Sequence, residues 1–396
     1  MTKLPDLTPS SANRSGESVA DVVGLGDVAE IITGFPFKSA LFTENLDDIR
    51  LLRGDNIGQG RLRWAGVKRW PNGDVQDLAA YRVRQGDVVL AMDRPWIEAG
   101  LKFAEVRRED VPSLLVQRVA LLRAKQPLTQ RFLAYLVGSP AFTNHVLAVQ
   151  TGTAVPHISG RQIASFTFSL PSTRRQEAVA AVLGALDDKI AVNDRIAETV
   201  HKLAAAEYAR VAQLAERACT LGDVIELTYG KALPAAQRRS GPVAVYGSGG
   251  ISGWHDEPLV RGPGIIVGRK GTVGSVYWSH RDFFPIDTTY YIRVTDDQLT
   301  TEYVYFLLTR LGLSEMNSDS AVPGLNRSRA LAIPVHLPNG EVIAEFTERI
   351  RPLFAMREQT ARENQTLAKL RDTLLPELMS GRLRVKDAEK VVGEAV

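Results

Sequence analysis

The sequence predicts an α+β protein: two mixed α/β domains, related by a pseudo-two-fold axis and separated by two long antiparallel helices that pair as a coiled coil. Three observations carry this expectation. The chain repeats itself, its two repeats are each followed by a matched helical seam, and the repeats contain short apolar runs broken by Gly, Pro, Asn and Asp.

The repeat is marked at both ends. Leu25-Gly26-Asp27-Val28 recurs as Leu221-Gly222-Asp223-Val224, each followed by Glu, apolar residues and a glycine turn at Gly34 or Gly230. Thr153-Ala154-Val155-Pro156 recurs as Ser320-Ala321-Val322-Pro323, and Leu170-Pro171 as Leu337-Pro338. The openings lie 196 residues apart and the closings 167, so the second unit is 29 residues shorter in its middle.

The 167-residue offset persists beyond the closings. In the first seam Val179, Leu183, Leu186, Ile190, Asn193, Ala197, Val200 and Leu203 are spaced 4, 3, 4, 3, 4, 3 and 3, which approximates the rhythm of a coiled-coil face. Ile343, Phe346, Ile350, Leu353, Met356, Thr360, Leu367, Leu370 and Leu374 repeat it, with interruptions at Pro352 and Asn364. Each helix of roughly 40 residues would be about 60 Å long at 1.5 Å per residue, too long to lie on one compact domain. The first helix enters the second domain and the second helix leaves it, so a shared seam requires antiparallel pairing. The expected layout is a loose tail at 1–24, a first head at 25–171, a central helix at 172–217, a second head at 218–338, a distal helix at 339–380 and a C-terminal tail at 381–396.

Within the first head, Val28 to Ile32, Arg50 to Leu52, Val88 to Ala91 and Val116 to Leu122 read as strands, and Thr129 to Ala148 as helix broken at Pro140. Thr301 to Leu311 takes the equivalent helical place in the second head.

Composition narrows the function. The chain has 396 residues, 44% hydrophobic, with no apolar run approaching the roughly 18 to 20 residues of a membrane span, and Pro- and Ser-containing residues 1–24 lack the pattern of a signal peptide. Cys219 is the only cysteine, which excludes an intrachain disulfide and a cysteine-rich zinc site and points to the cytoplasm. Net charge is only +3; residues 25–171 hold 18 basic and 14 acidic side chains, residues 221–338 hold 11 of each. The basic surplus therefore lies in the first head.

Basic and hydroxyl residues gather on glycine-rich turns, where backbone approaches a phosphate closely. Gly268-Arg269-Lys270-Gly271-Thr272-Val273-Gly274 follows the strand-like Gly264 to Val267, and Ala91-Met92-Asp93-Arg94 stands at the same relative position in the first head. Candidate nucleic-acid contacts are Lys38, Ser39, Arg53, Asn56, Arg94 and Lys102 in the first head. In the second they are Lys231, Tyr246, Ser248, Arg269, Lys270, Thr272, Asn326 and Arg327. Arg matches guanine edges, Asn adenine edges and Lys phosphate, although each also serves as an ordinary turn residue. The run Val243 to Gly253 imitates a dinucleotide-binding glycine turn, but Trp254-His255-Asp256-Glu257-Pro258 follows where a helix is required. The six histidines show no metal spacing, and no catalytic constellation is present. No catalytic, cofactor or metal residue is assigned.

With these features together, the chain resembles the specificity (S) subunit of type I restriction-modification systems over nearly its full length. The resemblance rests on the LGDV openings, Gly34-Phe35-Pro36-Phe37-Lys38-Ser39, Arg53-Gly54-Asp55-Asn56-Ile57, Tyr246-Gly247-Ser248-Gly249-Gly250, Gly268-Arg269-Lys270-Gly271 and Leu374-Leu375-Pro376-Glu377-Leu378-Met379-Ser380-Gly381. It implies two target-recognition domains, each reading half of a bipartite, asymmetric site in double-stranded DNA. It also implies helices that dock two methyltransferase (M) subunits, with restriction/motor (R) subunits joining that core. Catalysis, with S-adenosylmethionine, ATP and Mg, would belong to those partners. The first head departs from the family pattern, having Met92-Asp93-Arg94-Pro95 in place of an Arg-Lys-Gly turn. Apart from the resemblance, the residues also allow a paired-helix protein-interaction scaffold, a specificity subunit of a related type II-like system, or a nucleotide-binding enzyme.

Overall fold

The computed structural model describes residues 21–74, 76–152, 154–316 and 324–395. It divides into two compact units. Unit 1 takes the described residues through Ile190 together with those from Thr366 onward, and unit 2 takes Ala191–Gln365.

Unit 1 opens with strand β1 (Val22–Gly24), the short helix α1 (Leu25–Val28) and β2 (Ala29–Thr33), followed by β3 (Ile49–Leu52), β4 (Arg69–Trp70) and β5 (Val88–Ala91). The small hairpin β6 (Trp96–Ile97) and β7 (Gly100–Leu101) comes next, then β8 (Phe103–Glu105), β9 (Ser113–Leu115) and β10 (Val119–Ala124). Helices α2 (Gln130–Val137), α3 (Pro140–Val149) and α4 (Gly160–Ala164) lead to β11 (Thr167–Ser169). The main sheet runs β2-β10-β5-β8, and a second sheet runs β4-β3-β9 with β3 and β9 parallel.

The central strands β5 and β10 of the main sheet are buried on both faces, and the two-residue period of a strand sorts their side chains. Val88, Leu90, Ala120 and Leu122 join the core that contains α2, α3 and the long helices, while Val89, Ala91, Val119 and Leu121 meet Leu52 and Leu115 of the second sheet. Pro140 does not merely interrupt a helix. It starts a new one, with the Ser139 hydroxyl accepting from Phe142 N at 3.2 Å and proline at the first turn, where its missing N–H costs nothing.

Unit 2 repeats this plan without a counterpart of the β6–β7 hairpin. After β12 (Arg217–Thr220) come β13 (Ile225–Tyr229), β14 (Val243–Gly247), β15 (Gly250–His255), β16 (Gly264–Gly268), β17 (Val276–Ser279), β18 (Phe283–Pro285), β19 (Thr289–Val294) and β20 (Pro334–Leu337). The sheets run β13-β19-β16-β17 and β15-β14-β18, the latter with β14 and β18 parallel; β12 pairs with β20 as β1 pairs with β11.

The helix α5 (Thr173–Ala212) precedes β12, and α8 (Gly340–Ser380) follows β20. Between β19 and β20 lie α6 (Thr301–Arg310) and α7 (Arg327–Leu331). In unit 2, Asn364 donates to Asp194 at 2.8 Å, Arg357 contacts the His201 ring at 3.3 Å and Arg349 donates to Glu207 at 2.8 Å. Partners climb one helix as they descend the other in steps near seven, the signature of antiparallel heptad pairing. In unit 1 the same sense follows from Arg371 donating to Asp187 at 2.8 Å and from the Arg175 guanidinium lying against Gly381.

Several expectations are corrected. Val22–Gly24 is a strand of the head, because β11 offers it an edge, so the stretch before Leu25 is not tail throughout; residues 1–20 lie outside the described residues, as do Thr153 and Ser320 to Pro323 of the closing motifs. The central helix stops at Ala212, and Arg217 already belongs to β12. Beyond α8, Val385–Gly393 forms α9, whose Ala388 and Val392 enter the unit 1 core. The run Val116 to Leu122 is two strand ends joined by a turn at Arg118, a non-glycine residue at φ +66°. Leu203 and Met356 are exposed; Ala204 and Phe354 occupy the buried seam instead. Pro352 leaves α8 unbroken. No single helix among the described residues is long and apolar enough to cross a membrane.

Hydrogen bonds from Arg210 and Arg349 hold the Glu207 carboxyl at about 2, against an ordinary value of 4.5. A depressed carboxylate stabilises the fold above the unfolded value and ceases to do so as pH falls toward the folded one. Replacing Glu207 with Gln should therefore lower the melting temperature at pH 6–7, with the difference from wild type shrinking between about pH 4.5 and 2.

Candidate nucleic-acid interface

In unit 2 the strand β16 ends in the turn Arg269 to Gly274. A side chain at Gly268 would sit 2.1 Å from the Thr272 carbonyl, and Gly271 has φ +82°, so these glycines let the turn close tightly. Arg269 N and Lys270 N both donate to Thr288 O, at 2.9 and 3.1 Å. Leu325 N donates to Arg269 O at 2.8 Å, and Lys270 bridges Gly324. The adjoining Asn326 caps α7 by accepting from Arg329 N at 3.0 Å, and Arg327 Nε donates to Leu227 O at 2.8 Å.

These contacts enclose an open cleft of about 270 Å³ lined by Tyr229, Arg269, Lys270, Tyr290 and Gly324 to Arg327. Four predicted residues, Arg269, Lys270, Asn326 and Arg327, thus come together. Tyr229 and Tyr290 are cross-strand partners with ring centroids 5.0 Å apart, and the Arg269 guanidinium lies 5.1 Å from the Tyr229 centroid. Tyr290 is buried and donates to Leu325 O at 3.3 Å; burial pushes its hydroxyl up to about 12, so it remains a neutral donor near pH 7. Lys231, two residues beyond Tyr229, is exposed.

Unit 1 builds the same junction from different residues. Ile158 N donates to Met92 O at 2.9 Å and Asp93 bridges His157, so Met92 and Asp93 hold the places of Arg269 and Lys270. Cations are supplied from around it. Arg94 and Arg118, at φ +44° and +66°, are the two non-glycine residues with left-handed backbone among those described. Arg118 reaches Asp93 at 3.5 Å, and Arg53 reaches Asp55 at 3.5 Å. Lys102 feels the charge of the acid in each pair. Burial lowers its pKa, Arg94 and Arg63 add repulsion, and Asp55 and Asp93 oppose the shift. The predicted Arg53, Arg94 and Lys102 therefore share a mixed-charge cluster with Arg63 and Arg118.

Other predicted residues fall elsewhere. The Asn56 amide is buried and committed to the backbone, accepting from Arg53 N at 3.0 Å and donating to Arg63 O at 3.0 Å, so it shapes the loop and is not presented to a base. Tyr246 is likewise buried, edge-on to Phe283 at 5.9 Å, because its strand alternation turns it inward. The Ser248 carbonyl accepts from Ser275 Oγ at 2.7 Å and Tyr277 at 3.1 Å, which seats the β14–β15 turn beside the Gly271-Thr272 turn; Thr272 is exposed. Lys38 and Ser39 are exposed at the 3-10 turn Ser39–Leu41, and no contact among the described residues ties them to the Lys102 cluster.

Sequence reasoning missed Tyr229, Tyr290, Arg63 and Arg118. Tyr229 was open to discovery as the last residue before the Gly230 turn, on the strand that the repeat aligns. Arg118 was not, because nothing in the apolar run around it announces a left-handed turn.

Two heads of one mixed α/β plan, each closing a junction over the same strand end and each joined to a long helix, define a duplicated-domain fold. The chain belongs to the family of the type I restriction modification DNA specificity domain, whose model matches residues 18–202 and 218–365. It is 33% identical over 163 residues to the type I restriction enzyme EcoAI specificity subunit of Escherichia coli, and 30% identical over 183 residues to the MjaVIII specificity subunit of Methanocaldococcus jannaschii. These matches cover 41% and 46% of this chain and only 27% and 43% of the relatives, so the chain matches less than half the length of either. A crystal structure of a type I restriction-modification S subunit from M. genitalium shares the fold, with a TM-score of 0.56 at 17% identity over 94% of this chain and 99% of that one.

Because Asn56 spends both ends of its amide on the backbone, Asn56→Ala should cost about 1–2 kcal/mol of stability in urea titration, and an unchanged midpoint would show that the cap is not formed.

Proposed function

We propose that this chain is a non-catalytic, sequence-specific DNA-recognition subunit of a type I restriction-modification system, each head reading half of a bipartite, asymmetric site. The observation that carries the reading is the repeated junction: in both heads, basic side chains crowd the end of the same central strand, next to the segment that leads into a short helix. Lys and Arg there neutralise phosphates and set affinity, while a few side chains read base edges. The heads differ in which residues supply the charge, Arg269 and Lys270 in one and Arg94, Lys102 and Arg118 in the other, which fits two unlike half-sites.

Selection from a random duplex library should return two blocks of specified bases separated by unspecified ones. A single block, or no preference at any salt concentration, would defeat the reading.

In this account the long helices receive methyltransferase subunits, which carry S-adenosylmethionine, and restriction subunits using ATP and Mg act on the resulting core. Val192, Leu203 and Met356 support a docking role, because they are large apolar residues exposed on the two long helices in unit 2. Leu203→Glu combined with Met356→Glu should abolish copurification with a coexpressed methyltransferase subunit while leaving thermal stability nearly unchanged. Retained association would assign docking to another surface.

A further inference from the structure

The cleft of the second head contains a closed circuit of contacts. Arg269 O accepts from Leu325 N, Leu325 O accepts from the Tyr290 hydroxyl, the Tyr290 ring leans on Tyr229, and the Tyr229 ring lies beneath the Arg269 guanidinium. Both ends of the arginine are thereby held: its backbone by Leu325 and Thr288, its planar head by an aromatic face. Its Nε–H is buried without a hydrogen-bond partner. An arginine serving only as a phosphate counter-charge needs none of this. A bidentate reader does, because its two parallel donors must meet guanine O6 and N7 in one plane, and an unheld guanidinium loses side-chain entropy on binding.

Tyr229 makes that support conspicuous. It is 50% exposed at the end of β13, where a large ring gains little from burial, and the chain turns immediately afterwards at Gly230. What it touches is Arg269 on one side and the buried Tyr290 on the other. We propose that Tyr229 is a positioning residue which holds Arg269 in the orientation that reads a guanine in the second head's half-site. The inference rests on the DNA-reading function proposed above and adds a specificity determinant to it. It is confined to this head, since Met92 holds the equivalent place in the other.

The test uses the full-length chain and duplexes carrying every single base substitution of the sequence selected by wild type. Arg269→Lys keeps the charge but not the planar fork. It should lose discrimination at one G·C pair in one block by about tenfold or more, with the salt dependence retained. Tyr229→Leu should lose about two- to fivefold at that same pair and nowhere else, again with the salt slope unchanged. Tyr229→Phe and Tyr229→Trp, which keep an aromatic face, should retain the preference. The inference is overturned if Tyr229→Leu matches wild type at every position, if it weakens all duplexes alike, or if Tyr229→Phe loses the preference as fully as Tyr229→Leu. Should wild type select no sequence at all, the DNA-reading function fails and this inference goes with it.

Discussion

The buried amide of Asn193 constrains the pairing of the long helices more tightly than any apolar contact. Its nitrogen donates to Glu363 at 3.0 Å and to the Asn364 carbonyl at 2.9 Å, while Asn364 donates onward to Asp194. Apolar seams tolerate a heptad slip at modest cost, since one leucine pocket resembles the next. A buried amide is satisfied in one register and leaves unpaired polar groups in every other, so it gives up some stability to fix the alignment. The outer pairs His201–Arg357 and Glu207–Arg349 then fall into place as consequences of that register. On the proposed reading, that register also sets how far apart two half-sites are read.

Each head solves a second problem, how to present polar residues on a rigid base. The central strands are buried on both faces, and the candidate residues Arg94, Arg269 and Lys270 sit just beyond their ends. Their side chains are therefore carried by backbone that is hydrogen-bonded on two sides, as Arg269 is by Thr288 and Leu325. The price of the arrangement in the first head is strained backbone, since Arg94 and Arg118 adopt a conformation that favours glycine. Strain of this kind concentrates where side-chain placement outweighs local stability. The two heads thus share a frame and differ in the charge mounted on it.

Much of this was legible in the sequence, for physical reasons. The repeat, the antiparallel sense of the helices and the strands at Val88 to Ala91 and Gly264 to Val267 follow from offsets, heptad spacing and short apolar runs, which residue order records directly. The seam was misassigned at Leu203 because a periodicity reading prefers leucine, whereas the alternation of three and four carries the seam from Val200 to Ala204, which is buried. The same preference for obvious apolar runs hid the turn at Arg118. Among the candidate residues, Arg269 and Lys270 were found because they stand on a glycine-rich turn that follows a strand. Asn56 and Tyr246 were misjudged because residue type announces hydrogen-bonding capacity but not whether the fold has already used or buried it. Val385, Ala388 and Val392 carried a helical pattern, but their burial depends on a surface built by distant parts of the chain.

The central claim is that the heads read independently while the helices fix the distance between the readings. Exchanging residues 21–171 for the corresponding head of another family member, and then repeating the duplex selection, tests it most directly. The account predicts that one block of specified bases changes while the other block and the number of unspecified bases between them stay as they were. A change in both blocks, or in neither, would contradict it.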